Sequence, residues 1–474
     1  MNNMKKTKII ATIWPATDSR EKIKALYEAW VNVIRFNFSH WNYKYFEEII
    51  KIIKELNKSW ETRLSFLLDT KWPEIRTKDT EKVVYLEEGE EFIFTTLSNE
   101  DNIDIGGKNV IVADYEEIVS DLNIWNIIVL DDGLLRVEVI EKNTWELICK
   151  ALNSHKISAR RHINLPWIKI NLPWITKKDK EDISFWIEHN FDFIALSFVR
   201  NKKNILELKN FLKEKKANIK IISKIESEQA IENIDDIIEF SDWIMIARGD
   251  LWVELPAESL PVFQKTIAKK CRIAWKFFIV ATQMLESMII NRVPTRAEVN
   301  DIFYACEQEA DCTMLSGETA AWKYPIESVE HMTKIIKFAE SSIEYKHDYF
   351  FRNLWDDDYR KQMVKSAVLL SEEISASAIL VFTDTGFMAK TISAFRPKLP
   401  VFAFSFEKKT LCFLNILFGI ISLKLEKKSN IENVQNWLKL LKEKNLITPW
   451  DRLIVIYDRK EGDIFIPSIE IREI

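Results

Sequence analysis

The chain has 474 residues, 47% of them hydrophobic, which is enough for several cores and excludes an intrinsically disordered protein. Its 67 basic and 72 acidic side chains leave a net charge of −5, so no bulk attraction draws it to nucleic acid or an anionic membrane. Five scattered cysteines without a CxxC pair speak against a disulfide frame or a zinc site and fit reduced, cytosolic thiols.

At the N-terminus, MNNMKKTKII is too short in its apolar part for a secretory signal. Short β-rich runs then recur, each followed by polar residues and a helical pattern. Three come first: TKIIATI (7–13), NVIRFNF (32–38) and RLSFLLD (63–69). Five follow later: FDFIALSF (191–198), IKIISKI (219–225), DWIMIA (242–247), FFIVAT (277–282) and CTMLS (312–316). Between them lie amphipathic segments such as 21–29, where Ile23, Leu26 and Tyr27 share a face, and 205–215, with Ile205, Leu208 and Leu212. Eight βα units of this kind predict a (β/α)8 TIM barrel.

The rhythm breaks once, between Asp69 and about Pro173, where shorter strand-like pieces alternate with turns such as Gly106-Gly107 and Asp131-Asp132-Gly133. This predicts a small β-barrel domain inserted after the third barrel strand. After about Ser342 helical stretches alternate with AILVFTD (378–384), PVFAFSF (400–406) and RLIVIYD (452–458), which predicts a C-terminal α/β domain. There the longest apolar stretch, Leu411 to Leu423, is broken by Asn415 and shorter than the ~20 residues a bilayer needs, so it reads as buried core. The expected organisation is a catalytic barrel from 1–72 and 171–344, a β lid from 73–170, and an α/β domain from 345–474.

Residues at the C-terminal ends of barrel strands converge on one site. The second strand supplies Arg35, Asn37, Ser39 and His40, and the third Asp69, Thr70, Lys71, Glu74 and Arg76. Lys224 and Glu226 come from the fifth, Arg248, Gly249 and Asp250 from the sixth, and Thr282 from the seventh. Glu226 and Asp250 suit a hard divalent cation, which takes one or two carboxylates and fills its remaining positions with water and substrate oxygens. Lys224 and Arg35 could neutralise a phosphoryl group in transfer. Gly249 and Asp250 precede a short helix whose backbone N–H groups could receive an anion. Singly, each residue reads as readily as an internal ion pair, and Lys224 and Glu226 could simply bridge one another. Their convergence favours chemistry.

Seventeen tryptophans stand against nine glycines, far below the roughly 7% glycine of globular chains. Trp14, Trp72, Trp252 and Trp322 lie in turn-like surroundings, beside prolines, acidic and small polar residues, where a backbone often needs positive φ or close approach. The expectation is that most of these tryptophans are glycines in the natural protein, from a gene in which UGA encodes glycine.

The motifs TIWPAT, NVIRFNFSHWN, LLDTKWPEIRT, INLPW, FIALSFVR, SKIES, SDWIMIARGDLWVELP, ATQMLESM, PTRAEVNDI and MLSGETAAWKYP together resemble pyruvate kinase, over 7–78 and 160–340. The family pattern has glycine at Trp14, Trp30, Trp41, Trp72, Trp167, Trp243, Trp252, Trp275 and Trp322, and Trp125, Trp186 and Trp450 look alike. The resemblance implies phosphoryl transfer from phosphoenolpyruvate to ADP, giving pyruvate and ATP. It implies Arg35 on the substrate phosphate, Lys224 stabilising the transition state, and Glu226 and Asp250 holding Mg²⁺. It places Gly249, Asp250 and Thr282 on the substrate, with Thr282 in the relay that protonates the enolate. A K⁺ site is implied at Asn37, Ser39, Asp69 and Thr70, with Glu74 resembling the potassium-dependent branch. Nucleotide contacts are implied for Asn37, His40, Arg76 and Arg161, and a cytoplasmic homotetramer for the assembly.

The chain departs from the family at Arg161-His162, where lysine-glycine is usual, and in FTDTGFMAKTISAFRP, whose Asp384, Phe387 and Met388 would not hold a sugar phosphate. An alternative takes the tryptophans literally and makes the chain a non-catalytic regulatory or binding protein on the same scaffold. Another barrel enzyme acting on phosphoenolpyruvate would have to account for the whole motif series.

Overall fold

The computed structural model describes residues 4–38, 43–70, 75–79, 83–100, 106–131, 133–166, 168, 177–321, 323–344, 358–425, 430–443, 446–461 and 464–474. Eight parallel strands close into a barrel in chain order: Lys8–Thr12, Val33–Asn37, Ser65–Asp69, Phe193–Leu196, Lys220–Ile225, Trp243–Ala247, Phe277–Ala281 and Cys312–Leu315. Nearly every residue of these strands is buried, because one face lines the barrel and the other meets the helices. The helices earn their places by pattern and caps. In Tyr43–Lys58, Phe46, Ile49, Ile50, Ile53 and Leu56 form the buried stripe. Arg296–Glu307 starts on a capping box, Thr295 with Glu298, which satisfies two end groups at once.

The inserted unit is a seven-stranded sheet whose two end strands, Ile75–Arg76 and Val110–Ala113, meet through the Thr77–Ala113 bridge and the Asp114 N–H to Arg76 carbonyl bond of 2.9 Å. The sheet thereby curls into a small barrel with its own core of Phe92, Phe94, Leu130, Val137 and Leu147. It touches the main barrel near the strand ends, where the His162 and Phe198 rings lie 6.4 Å apart.

The C-terminal unit is a five-stranded sheet ordered Ile420–Lys424, Val401–Ser405, Ala378–Phe382, Arg452–Glu461 and Ile464–Glu473, parallel except for the last pair. The apolar stretch 411–423 splits into a helix end and a strand, with Leu414, Ile416, Leu417, Phe418 and Ile420 buried as expected. Barrel-interior residues Ile10, Val33, Leu67 and Phe277 belong to the same apolar cluster as Val364, Ile379, Val401 and Ile454. A buried ion pair adds to this seam: Arg396 reaches Asp311 at 2.7 Å, and both are essentially inaccessible.

Fifteen non-glycine residues adopt positive φ among the described residues, and five of them are tryptophans: Trp30 (82°), Trp60 (64°), Trp125 (75°), Trp275 (58°) and Trp450 (76°). Trp30 and Trp275 each follow a helix. Their N–H groups bond Tyr27 and Arg272 carbonyls, and the next residues bond Leu26 and Cys271, the Schellman pattern that glycine usually terminates. Others tell a different story. Trp243 lies inside the barrel, stacked on Phe277 at 4.7 Å, and the buried Trp186 indole N–H has no hydrogen-bond partner among the described residues. Trp41, Trp72, Trp167 and Trp322 lie outside the described residues.

Candidate active site

The strand register does the first work. Asn37 pairs with Asp69 across the second and third strands, and Ala195 pairs with Asp69 across the third and fourth. Asp69 is therefore hemmed in by neighbours at the C-terminal rim. Its Oδ2 accepts from Arg35 Nε at 2.7 Å, and its Oδ1 lies 3.1 Å from Lys224 Nζ. Lys224 in turn reaches Glu226 Oε1 at 2.7 Å, while Glu226 Oε2 accepts from the Phe198 N–H at 2.7 Å. Two cations and two carboxylates thus alternate in a nearly inaccessible cluster.

Two hydroxyls tie this cluster together. Ser197 Oγ accepts from Lys224 Nζ at 3.0 Å and donates to the Thr70 carbonyl at 2.9 Å, while Thr12 Oγ1 accepts from Arg35 at 2.8 Å. Neither was anticipated. Ser197 could have been found, since it follows the fourth strand in FIALSF as directly as Thr70 follows the third.

Burial would raise the Asp69 carboxyl, but Lys224 and Arg35 outweigh it and hold the group below its usual range. Glu226 goes the other way. Burial, joined by the charge of Asp250, pushes it up to about 7 against the pull of Lys224. The Lys224 ammonium is held well above its usual range because Asp69 and Glu226 outweigh its burial. Lys224 therefore stays a cation, while burial and Asp250 leave the Glu226 carboxylate short of positive charge.

Asp250 sits in the first turn of Arg248–Glu254, directly after the sixth strand, close enough to shift both Lys224 and Glu226. Among the described residues no group of three or more His, Cys, Asp or Glu stands ready to hold a metal. A cation here would rest on the pair Glu226 and Asp250 and complete its shell with substrate and water oxygens, a donor set that suits Mg²⁺. The Gly249 N–H, expected at a helix start that could receive an anion, donates to Thr282 Oγ1 at 2.8 Å. Thr282 also donates to the Ala281 carbonyl at 2.6 Å.

The remaining expected residues divide. Thr70 borders the cluster, its N–H bonded to the Ala195 carbonyl at 3.0 Å and its hydroxyl accepting from the Ser197 N–H at 3.2 Å. Asn37 ends the second strand, partly buried beside Asp69. Arg76 and Arg161 belong to the inserted unit and are held there, Arg76 by the Arg160 carbonyl at 2.8 Å and Arg161 by Asp131 at 3.3 Å. Ser39, His40, Lys71 and Glu74 lie outside the described residues. Trp252, on the same helix as Asp250, is half exposed and does not fill the cluster.

A family model described as "Pyruvate kinase, barrel domain" matches residues 4–329, and one described as "Pyruvate kinase, alpha/beta domain" matches 361–464. The chain belongs to the pyruvate kinase family. It is 38% identical over 460 residues to a pyruvate kinase of Clostridium perfringens, covering 95% of this chain and 96% of that one. It is 37% identical over 448 residues to plastidial pyruvate kinase 3 of Arabidopsis thaliana, covering 94% of this chain and 77% of the relative. A crystal structure of a pyruvate kinase from Cryptosporidium parvum superposes with a TM-score of 0.90 at 33% identity, covering 98% and 96% of the two chains. The chain is therefore a phosphotransferase that moves the phosphoryl group of phosphoenolpyruvate to ADP, giving pyruvate and ATP. Nothing in the geometry or the comparisons supports the non-catalytic alternative.

Proposed function

We propose that the buried Arg35–Asp69–Lys224–Glu226 cluster, with Asp250 and Thr282 beside it, carries out that transfer with Mg²⁺ and K⁺. The single observation behind this reading is that four charged side chains, drawn from three separate strands, meet within hydrogen-bond distance where water scarcely reaches. Such an arrangement is costly to bury unless the charges pair, and here they hold one another in place for a charged substrate.

Glu226 and Asp250 hold Mg²⁺, which when bound supplies charge to offset the phosphoryl oxygens and the substrate carboxylate. Arg35 orients the phosphate, and Lys224, fixed by Asp69 and Ser197, faces the charge that develops as the phosphoryl group moves. Gly249 and Asp250 contact the substrate, and Thr282 serves the relay that returns a proton to the enolate carbon. Asn37, Ser39, Asp69 and Thr70 form the K⁺ site, a reading supported by an Asp69 carboxyl held below its usual range and by its strand register with Asn37. Asn37, His40, Arg76 and Arg161 take the nucleotide, the last two from the inserted unit as it closes.

The organisation that goes with this reading is a catalytic barrel of residues 1–72 and 171–344, a lid of 73–170 and an α/β unit of 345–474. The assembly is a homotetramer in the cytoplasm. Its five free cysteines suit a reducing compartment, and no helix among the described residues is long and apolar enough to cross a membrane. The test is pyruvate formation from phosphoenolpyruvate and ADP, with Mg²⁺ or a chelator and with K⁺ or Na⁺. Activity that survives both metal removal and Glu226→Gln would refute the site assignment.

A further inference from the structure

We propose that Arg248 is a positioning residue for the Thr282 hydroxyl, anchored by Asp301. This rests on the role given above to Thr282 in returning a proton to the enolate. Thr282 and its neighbour Gln283 both have left-handed backbones, with φ of 69° and 54°. A β-branched residue there is a strained exception, which persists only where surrounding contacts over-determine it.

Arg248 supplies those contacts. Its Nε donates to the Ala281 carbonyl at 3.2 Å and one terminal nitrogen donates to the Thr282 carbonyl at 2.6 Å, so one planar fork grips two successive carbonyls of the strained turn. The same nitrogen meets Met284 Sδ at 2.8 Å. Its other terminal nitrogen donates to Asp301 Oδ1 at 2.6 Å, on the helix Arg296–Glu307 that follows the turn. On the opposite side Gly249, the residue after Arg248, donates its N–H to the Thr282 hydroxyl, and a Cβ at Gly249 would lie 3.7 Å from the threonine side chain.

The turn is thus clamped between the sixth-strand end and a later helix, and Thr282 Oγ1 is aimed by that clamp. Arg248 is buried, and among the described residues its side chain bonds Ala281, Thr282, Met284 and Asp301 rather than any of the four charged residues at the phosphoryl end. Its loss falls on the proton step more than on phosphoryl transfer. A lysine keeps the charge but not the fork.

The experiment separates the two steps in Arg248→Lys, Asp301→Ala, Thr282→Val and the double variant Arg248→Lys/Thr282→Val. NMR follows solvent deuterium entering the methyl group of pyruvate, and rapid quench follows ATP formed in a single turnover. Arg248→Lys should slow deuterium entry by about tenfold, the value of one charged hydrogen bond, with single-turnover ATP formation changed by less than about threefold. Asp301→Ala should shift the same ratio in the same direction by a smaller factor, and it carries the test if the lysine variant folds poorly. In the Thr282→Val background Arg248→Lys should add no further loss, because the two act as a unit. Equal losses in both steps, or multiplying losses in the double variant, would overturn the clamp. If Thr282→Val slows deuterium entry while Arg248→Lys does not, the clamp alone fails. If Thr282→Val leaves it unchanged, the relay role fails and takes the clamp with it.

Discussion

Trp450 offers the sharpest test of what the left-handed tryptophans mean. Its φ is 76°, its N–H is bonded to the Ile474 carbonyl at 2.8 Å, and its side chain is 91% exposed. A left-handed L-residue costs about 1–2 kcal/mol. Replacement by glycine removes that cost but loses about 0.4–1 kcal/mol through the freer unfolded chain. The small buried part of the ring contributes about 0.5 kcal/mol at 25 cal/mol per Å². An alanine variant isolates the backbone term, since it discards the same ring and keeps the strain. Trp450→Gly should therefore be more stable than Trp450→Ala by roughly 0.5–1 kcal/mol. Trp252 is the control: it sits within the helix Arg248–Glu254 without positive φ, half exposed. There glycine should be less stable than alanine by about 1 kcal/mol. Urea titration followed by far-UV circular dichroism measures all four, and the expected result is opposite signs at the two positions. Alanine equal to or better than glycine at position 450 would refute the reasoning. Peptide masses from the native organism then ask whether glycine is what the cell places there.

Lys224→Met should lower kcat by about 100- to 1000-fold, the loss that follows removal of a group facing transition-state charge, with a far smaller change in KM; a coupled pyruvate assay reads both. Arg396→Met strands the inaccessible Asp311 and should cost about 3–5 kcal/mol by urea titration. Asp192 concerns pH. Burial holds its carboxyl up at about 7, against near 4 in an unfolded chain, so the folded state keeps the extra proton between those values and this group's contribution to stability falls as pH rises. Asp192→Asn should gain thermal stability over the parent progressively from pH 4 to 7, with a constant difference above; a difference that does not vary with pH would contradict it.

The barrel was legible because eight apolar runs each ended in polar or reactive residues, and strand ends in this architecture must converge. The charged cluster followed from the same rule. Ser197 and Thr12 were missed because a lone hydroxyl at a strand end carries no charge to single it out, and only the closed barrel brings them to Lys224 and Arg35. The strand Ile420–Lys424 was hidden inside an apolar stretch, where periodicity cannot separate a buried strand from a buried helix. Trp60, left-handed at 64°, was not among the expected glycine positions, although it falls just beyond the helix Tyr43–Lys58, where chains often turn left-handed. The bond from the Gly249 N–H to the Thr282 hydroxyl was not legible, because it depends on the sixth and seventh strand ends meeting across the closed barrel.

The apolar cluster that runs from the barrel interior into the C-terminal sheet means that the catalytic strands have no floor of their own. A gene fragment ending before the last unit would leave Ile10, Val33, Leu67 and Phe277 rooted in water rather than in Val364, Ile379 and Val401. The two halves consequently share part of one core.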